Sequence, residues 1–319
     1  MRVLRRFLAM RAAHAGWPGR AVPGAADHPG RPLALAVSAA FASYRADVAG
    51  AEELCRRAAD ANARQGSPDW RVEEAICAAR ANIAHTTGAF ADAARRAEHA
   101  AGLAREGGDL ADASVLLSLA AARHVLAGDA PQAVPQASEA LALARQVGAQ
   151  ALIATSLLAV GLAVARTDPG QARARLRESR ELSAALGYRN ALDLGWATAI
   201  AFLGGDAAST LELGRTAIRG LQWGGDRLRM GMVLYFIAGA LATSRPEAAA
   251  IIQGAIETYV VQSPVVAQLI SSTVTKALGD ERVRELRGRG ADMDWAQAVA
   301  YTLTQTTQAL SEPRSPAQP

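Results

Sequence analysis

The chain has 319 residues, 50% of them hydrophobic but only 5% aromatic, with 34 Lys and Arg against 30 Asp and Glu and a net charge of +4. A surplus that small does not argue for nucleic acid, and two cysteines, Cys55 and Cys77, exclude a secreted disulfide framework. The apolar share is mainly alanine, the best helix former, and strand formers never alternate over a sustained run, so helices are expected and sheet is not.

Residues 1–32 carry Arg2, Arg5, Arg6, Arg11, Arg20 and Arg31 against one acid, Asp27, and are broken by Pro18, Pro23, Pro29 and Pro32. This reads as a disordered leader, and Val3 to Ala15 lacks the continuous apolar stretch of a signal peptide. The longest apolar run, Ala151 to Ala165, falls short of the roughly 20 residues that span a bilayer. The expectation is a cytoplasmic protein without a membrane partner.

Breakers then set a beat. Gly88, Gly128, Asp168, Gly205 and Ser244 open turns spaced 40, 40, 37 and 39 residues apart. A second series, Gly66, Gly107, Gly148, Gly187 and Gly224, is spaced 41, 41, 39 and 37 and falls between the first. Two interleaved series at one period define a two-helix unit. The helices expected are 33–46 and 49–65, 69–87 and 90–106, 109–127 and 131–147, 149–166 and 170–186, 188–203 and 207–222, and 226–243 and 246–260. The fold class is therefore all-α, a tetratricopeptide-like helical-hairpin solenoid of about six hairpins with a period near 40.

Asp69, Asp109 and Asp226 sit where N-caps belong, and Pro131 and Pro246 suit first-turn positions. Leu103, Leu143, Leu182 and Leu221 recur near helix ends and should face one inter-repeat seam. Ala63-Arg64-Gln65-Gly66, Ala104-Arg105-Glu106-Gly107 and Ala144-Arg145-Gln146 before Gly148 repeat a helix ending, with a cation for the dipole and a glycine where the chain turns left-handed. Residues 261–310 break the beat with an apolar helix from Pro264 to about Leu278, a short charged one from Asp280 to Arg287 and a last helix through Leu310; they read as a C-terminal cap, followed by a disordered tail, 311–319.

Catalytic constellations are not recognisable. The single lysine, Lys276, lies between Thr275 and Ala277 and belongs to no phosphate loop. His14, His28, His85, His99 and His124 include no pair at helical ligand spacing, although His85, His99 and His124 could approach one another across helices. There is no nucleophile elbow. The chain reads as a non-enzyme that needs no cofactor and no metal.

Arg57, Arg96, Arg175 and Arg215 form a near-equivalent stripe on the second helices. Glu53 precedes Arg57 by four residues, Asp92 precedes Arg96 by four, Glu181 follows Arg177 by four and Glu212 precedes Arg215 by three, so a self-neutralised ridge is favoured over a nucleic-acid surface. First helices of such arrays usually line a concave face, which makes Arg80, His85, Arg123 and His124 the candidate contacts for a protein or peptide partner. Trp70, Trp196, Trp223 and Trp295 read as core or seam residues. Cys55 and Cys77 each lie eleven residues from Gly66, so a hairpin would let them face each other as reduced thiols or as a redox pair.

The endings Leu143-Ala144-Arg145-Gln146-Val147-Gly148 and Leu182-Ser183-Ala184-Ala185-Leu186-Gly187 carry a further likeness. So do Ala277-Leu278-Gly279-Asp280-Glu281-Arg282, Arg289-Gly290-Ala291-Asp292-Met293-Asp294 and Ala296 to Ala300. Together these segments resemble the C-terminal tetratricopeptide-like half of large actinobacterial signalling ATPases, over roughly Leu33 to Leu310. In that family a nucleotide-binding module precedes the repeats, often with a class III adenylate cyclase domain or a LuxR-type helix-turn-helix. The resemblance implies a regulatory interaction arm, the truncated sensor half of a signal-transduction ATPase, whose partner could be a signalling ATPase or cyclase module. The alternative is a fragment of an adenylate cyclase or ATP-binding transcriptional regulator with its catalytic module outside this chain.

Overall fold

Alanine-rich segments bounded by Gly, Asp and Pro fold here as antiparallel helix pairs. The computed structural model describes residues 29–187, 191–224, 227–257, 259 and 261–312, apart from the side chains of 191, 192, 223, 224 and 228. The expected cap Asp226, the Trp223 side chain, the leader before Pro29 and the tail beyond Glu312 lie outside the described residues.

Six hairpins follow one another: α1 (Arg31–Tyr44) with α2 (Val48–Ala63), α3 (Trp70–Thr86) with α4 (Phe90–Glu106), and α5 (Leu110–Ala127) with α6 (Ala130–Val147). Then come α7 (Gln150–Val164) with α8 (Pro169–Ala185), α9 (Ala191–Leu203) with α10 (Ala207–Gly224), and α11 (Arg227–Leu241) with α12 (Pro246–Glu257). Three more helices close the chain: α13 (Pro264–Leu278), α14 (Asp280–Ala291) and α15 (Trp295–Ser311). Among the described residues there is no strand, and the all-α hairpin-repeat class expected from the breaker series is the fold observed.

Local chemistry sets the ends. Asp69 accepts from the Arg71 amide and Asp109 from the Asp112 amide, as their positions predict, and Asp47, Asp129 and Asp168 cap α2, α6 and α8 in the same way. α1 starts at Arg31, earlier than expected, because Pro32 is well tolerated in a first turn. The left-handed residue after α4 is Gly108, at φ +78°, and not Gly107, which keeps right-handed geometry at φ −74°. Trp70 packs over Gly107, where a Cβ would come within 2.3 Å of the indole.

First helices α7, α9 and α11 are buried almost all round, while second helices keep a charged outer face. The core is uneven along the chain. Hairpins one to three are packed largely by Ala36, Ala39, Ala51, Ala58, Ala79, Ala97 and their neighbours, whereas Ile200, Ile218, Leu234, Ile237, Leu241, Ile252 and Ile256 fill the later half. Each fully buried Leu or Ile contributes about 1.5–3 kcal/mol, well above an alanine methyl, so the C-terminal half is expected to be the more stable one. Of the seam leucines, Leu221 is buried and Leu103, Leu143 and Leu182 are half-buried.

The array curls until its ends meet. α11 touches α1, α13 touches α5, and α15 covers α10, α11 and α12. The Ser263 hydroxyl donates to the Leu126 carbonyl at 2.6 Å, Val261 lies on Gly88 and Val265 on Gly128. α14 docks on α12 backbone to backbone, since a Cβ on Gly254 would come within 2.0 Å of the Arg287 carbonyl oxygen and one on Gly290 within 2.0 Å of that of Ile251. α5 is 18 residues long and apolar enough to cross a membrane by length and composition; here 61% of it is buried inside the fold.

Candidate functional site

Of the four candidate contacts, three are enclosed. Curling brings α1, α3, α5, α9 and α11 around a common centre, so the residues on their inner faces meet each other and not solvent. Arg123 of α5 is 4% exposed; its Nη2 donates to Asn82 Oδ1 of α3 at 2.5 Å, and its Nη1 has no partner. Burial lowers its pKa to about 10, with Tyr44 opposing and Arg229 adding to the shift. His85 of α3 lies 3.1 Å from the Met232 sulfur of α11 and edge-on to Phe90. Burial, then the charges of Arg123 and Arg229, lower its pKa to about 3 and keep the ring neutral. His124 Nε2 is 2.8 Å from Glu98 Oε1, with Nδ1 3.9 Å from Asp129, beyond hydrogen-bond reach.

Arg80 alone stays at the surface, where it holds Glu52 across α2 and α3 at 3.0 Å. His85, His99 and His124 do not converge: His85 meets Met232, and His124 takes Glu98. Among the described residues no group of three or more His, Cys, Asp or Glu is placed to hold a metal ion.

Two members of the centre carry no motif in the sequence. Asp193 of α9 accepts from the Thr155 hydroxyl at 3.0 Å, and burial pushes its pKa up to about 6 against that bond and the Arg229 charge. Arg229 of α11 stacks on the Tyr44 ring of α1 at 4.5 Å, linking the last hairpin to the first. Beside this centre His85, Phe90, Leu126, Met232, Tyr235 and Val266 enclose a cavity of about 20 Å³, room for roughly one water.

The outer face is different in kind. Asp92 holds Arg96 at 2.6 Å, as its spacing predicts, and also Arg95. Glu53 takes Arg56 and not Arg57, and Arg175 pairs with Glu178. The expected Arg177–Glu181 pair does not form; Arg177 lines a cleft of about 160 Å³ with Arg173 and Arg180 of α8, Ile200 and Ala201 of α9, and Asp206 and Ser209 at the start of α10. Cys55 is buried and Cys77 half-buried, both as free thiols, and burial pushes the Cys55 pKa up to about 11. Trp196 is core, Trp295 meets Tyr259 edge-on and Trp70 carries Arg71 over its ring.

No family model matches this chain, and no curated protein matches it.

Proposed function

We propose that the chain is a helical-repeat interaction module with a regulatory role, the sensor half of a signal-transduction ATPase, which binds a protein partner and leaves catalysis to another module. The observation that carries this reading is the outward surface built by second helices of consecutive hairpins. It is charged and bears exposed apolar residues at Val134 and Val147 of α6 and at Leu186 after α8. Exposed aliphatic side chains amid charge are the composition of an interface centre with a polar rim. On the inner face, where such arrays commonly seat peptides, Met232 of α11 already meets His85, and Val261, Ser263 and Val265 cover the adjoining ends of α3 and α5. A peptide reaching His85 or Arg123 has to displace that segment. The partner is therefore assigned to the outer face, with a signalling ATPase or cyclase module as the expected class.

Site-specific photocrosslinking in the native cell tests this. A crosslinker at Val134 or Val147 is expected to give one discrete protein adduct, while one at Arg80 gives none. Turnover of ATP by the purified chain, together with absence of an adduct at either outer position, would overturn the reading.

A further inference from the structure

We infer that the cleft between α8 and the α9–α10 turn is a binding site for a phosphate monoester dianion. Arg173, Arg177 and Arg180 are spaced four and three residues apart, so they share one face of α8 and span about 10 Å along it. Among the described residues none of the three has a carboxylate within ion-pairing distance, although Arg175 on the same helix holds Glu178 at 3.0 Å. Like charges at this spacing repel by a few tenths of a kcal/mol and gain nothing inside the chain.

The cleft supplies what a phosphate ligand needs. Three guanidinium groups offer planar forks of donors, the geometry that binds phosphate oxygens in pairs. Among the described residues Asp206 is the only carboxylate lining the cleft, and its Oδ1 is engaged in capping α10 through the Ser209 amide at 2.9 Å. Three cations against one anion leave two positive charges, which match the charge of about −1.5 to −2 on a monoester at neutral pH. The Ser209 hydroxyl adds a neutral donor. Ala172, Leu176 and Ile200 give an apolar floor for the carbon atoms that carry the phosphate. A nucleic-acid backbone, with singly charged diesters at regular intervals, calls for an extended groove instead of a cleft of about 160 Å³.

The monoester can come from a free metabolite or from a phosphorylated side chain on the partner. The site stands on its own whichever face the partner uses, so its failure and that of the interaction reading are separable. The test is calorimetric titration of the full chain at constant ionic strength. The probes are inorganic phosphate, ribose 5-phosphate, a phosphoserine pentapeptide and a single-stranded oligonucleotide without terminal phosphate. NMR of the arginine Nε–H groups runs in parallel. Saturable binding of the monoester probes is expected, with shifts confined to the three arginines, weakened at least tenfold in Arg177→Gln and lost in the Arg173→Gln/Arg177→Gln/Arg180→Gln variant. Arg145→Gln, elsewhere on the outer face, leaves it unchanged. Tighter binding of the pentapeptide assigns the source to a protein, and tighter binding of ribose 5-phosphate to a metabolite; either supports the site. Absence of saturable binding, binding unaltered in the triple variant while its circular dichroism is native, or preference for the oligonucleotide overturns it.

Discussion

The hydroxyl of Ser263 donates to the carbonyl oxygen of Leu126 across 137 positions of sequence, at 2.6 Å, and so ties the start of α13 to the end of α5. The bond satisfies a carbonyl in the last turn of α5 that has no partner within its own helix. It is one element of a clasp that includes Val261 on Gly88, Val265 on Gly128 and Met232 on His85. Through this clasp a string of local hairpins becomes a closed body.

Glycine substitutions separate the clasp from backbone cost. Gly88 and Gly148 both sit at positive φ, +82° and +72°, so alanine at either costs about 1–2 kcal/mol of left-handed strain. Only at Gly88 would the new Cβ come within 2.4 Å of Val261, whereas nothing lies near Gly148. Gly88→Ala is expected to destabilise by about 1–3 kcal/mol more than Gly148→Ala, the cost of overpacking, in urea unfolding. Equal losses would mean that Val261 does not seat there.

The docking of α14 depends on small residues at Gly254 and Gly290, each against backbone of the other helix. Backbone cannot rotate away as a side chain can, so Gly254→Ala is expected to cost at least about 3 kcal/mol or to detach α14. Limited proteolysis between α14 and α15 should reveal the detachment. Gly102→Ala, an open helical position, is the control and should be neutral or stabilising.

Two carboxyls, the half-buried Glu74 and the buried Asp193, set a pH dependence. Glu74, with Asp112 and Asp109 nearby, is pushed up to about 8, and Asp193 to about 6, burial being the main cause in each. A carboxyl whose pKa is higher in the folded state binds more protons there, so its contribution is full below the unfolded pKa of about 4 and is lost as pH rises through the folded value. Stability should therefore fall from pH 4.5 to pH 8.5 on this account. Asp193→Asn keeps an acceptor for Thr155 and should remove the part of the slope below pH 7, with a gain of about 1–3 kcal/mol at pH 8. Urea midpoints at three pH values decide it, and an unchanged slope would show that Asp193 is already solvated.

The uneven core predicts uneven opening. Amide hydrogen exchange should be slowest in α9, α11 and α12, where large aliphatic residues are buried, and fastest in α1 and α2, which rest mainly on alanine. Uniform exchange along the chain would contradict this division.

What the sequence made legible is what is decided locally. Asp69 and Asp109 as caps, Pro131 in a first turn and Asp92 with Arg96 all depend on residues within one helical turn. Competition inside a turn already blurs the reading: Glu53 can reach either Arg56 or Arg57, and the three-residue spacing wins. Arg80, His85, Arg123 and His124 were legible as first-helix residues, but their exposure depends on superhelical curvature. A forty-residue beat says that units stack and not how tightly they curl, so burial of His85 by Met232, 147 residues away, had no local signal. Asp193 and Arg229 are missed for the same reason, since each looks ordinary until α1, α9 and α11 converge.

Closure is best tested by distance. Spin labels at Thr87 and at Pro264, both exposed and neither part of the clasp, can be introduced as Thr87→Cys and Pro264→Cys in a chain with Cys55→Ala and Cys77→Ala. Double electron–electron resonance should then give one narrow distribution within about 20 Å, one packing distance plus two label arms. An open solenoid would instead separate the same sites by about 40 Å, four interhelical spacings, and a distribution centred there would contradict the closed array.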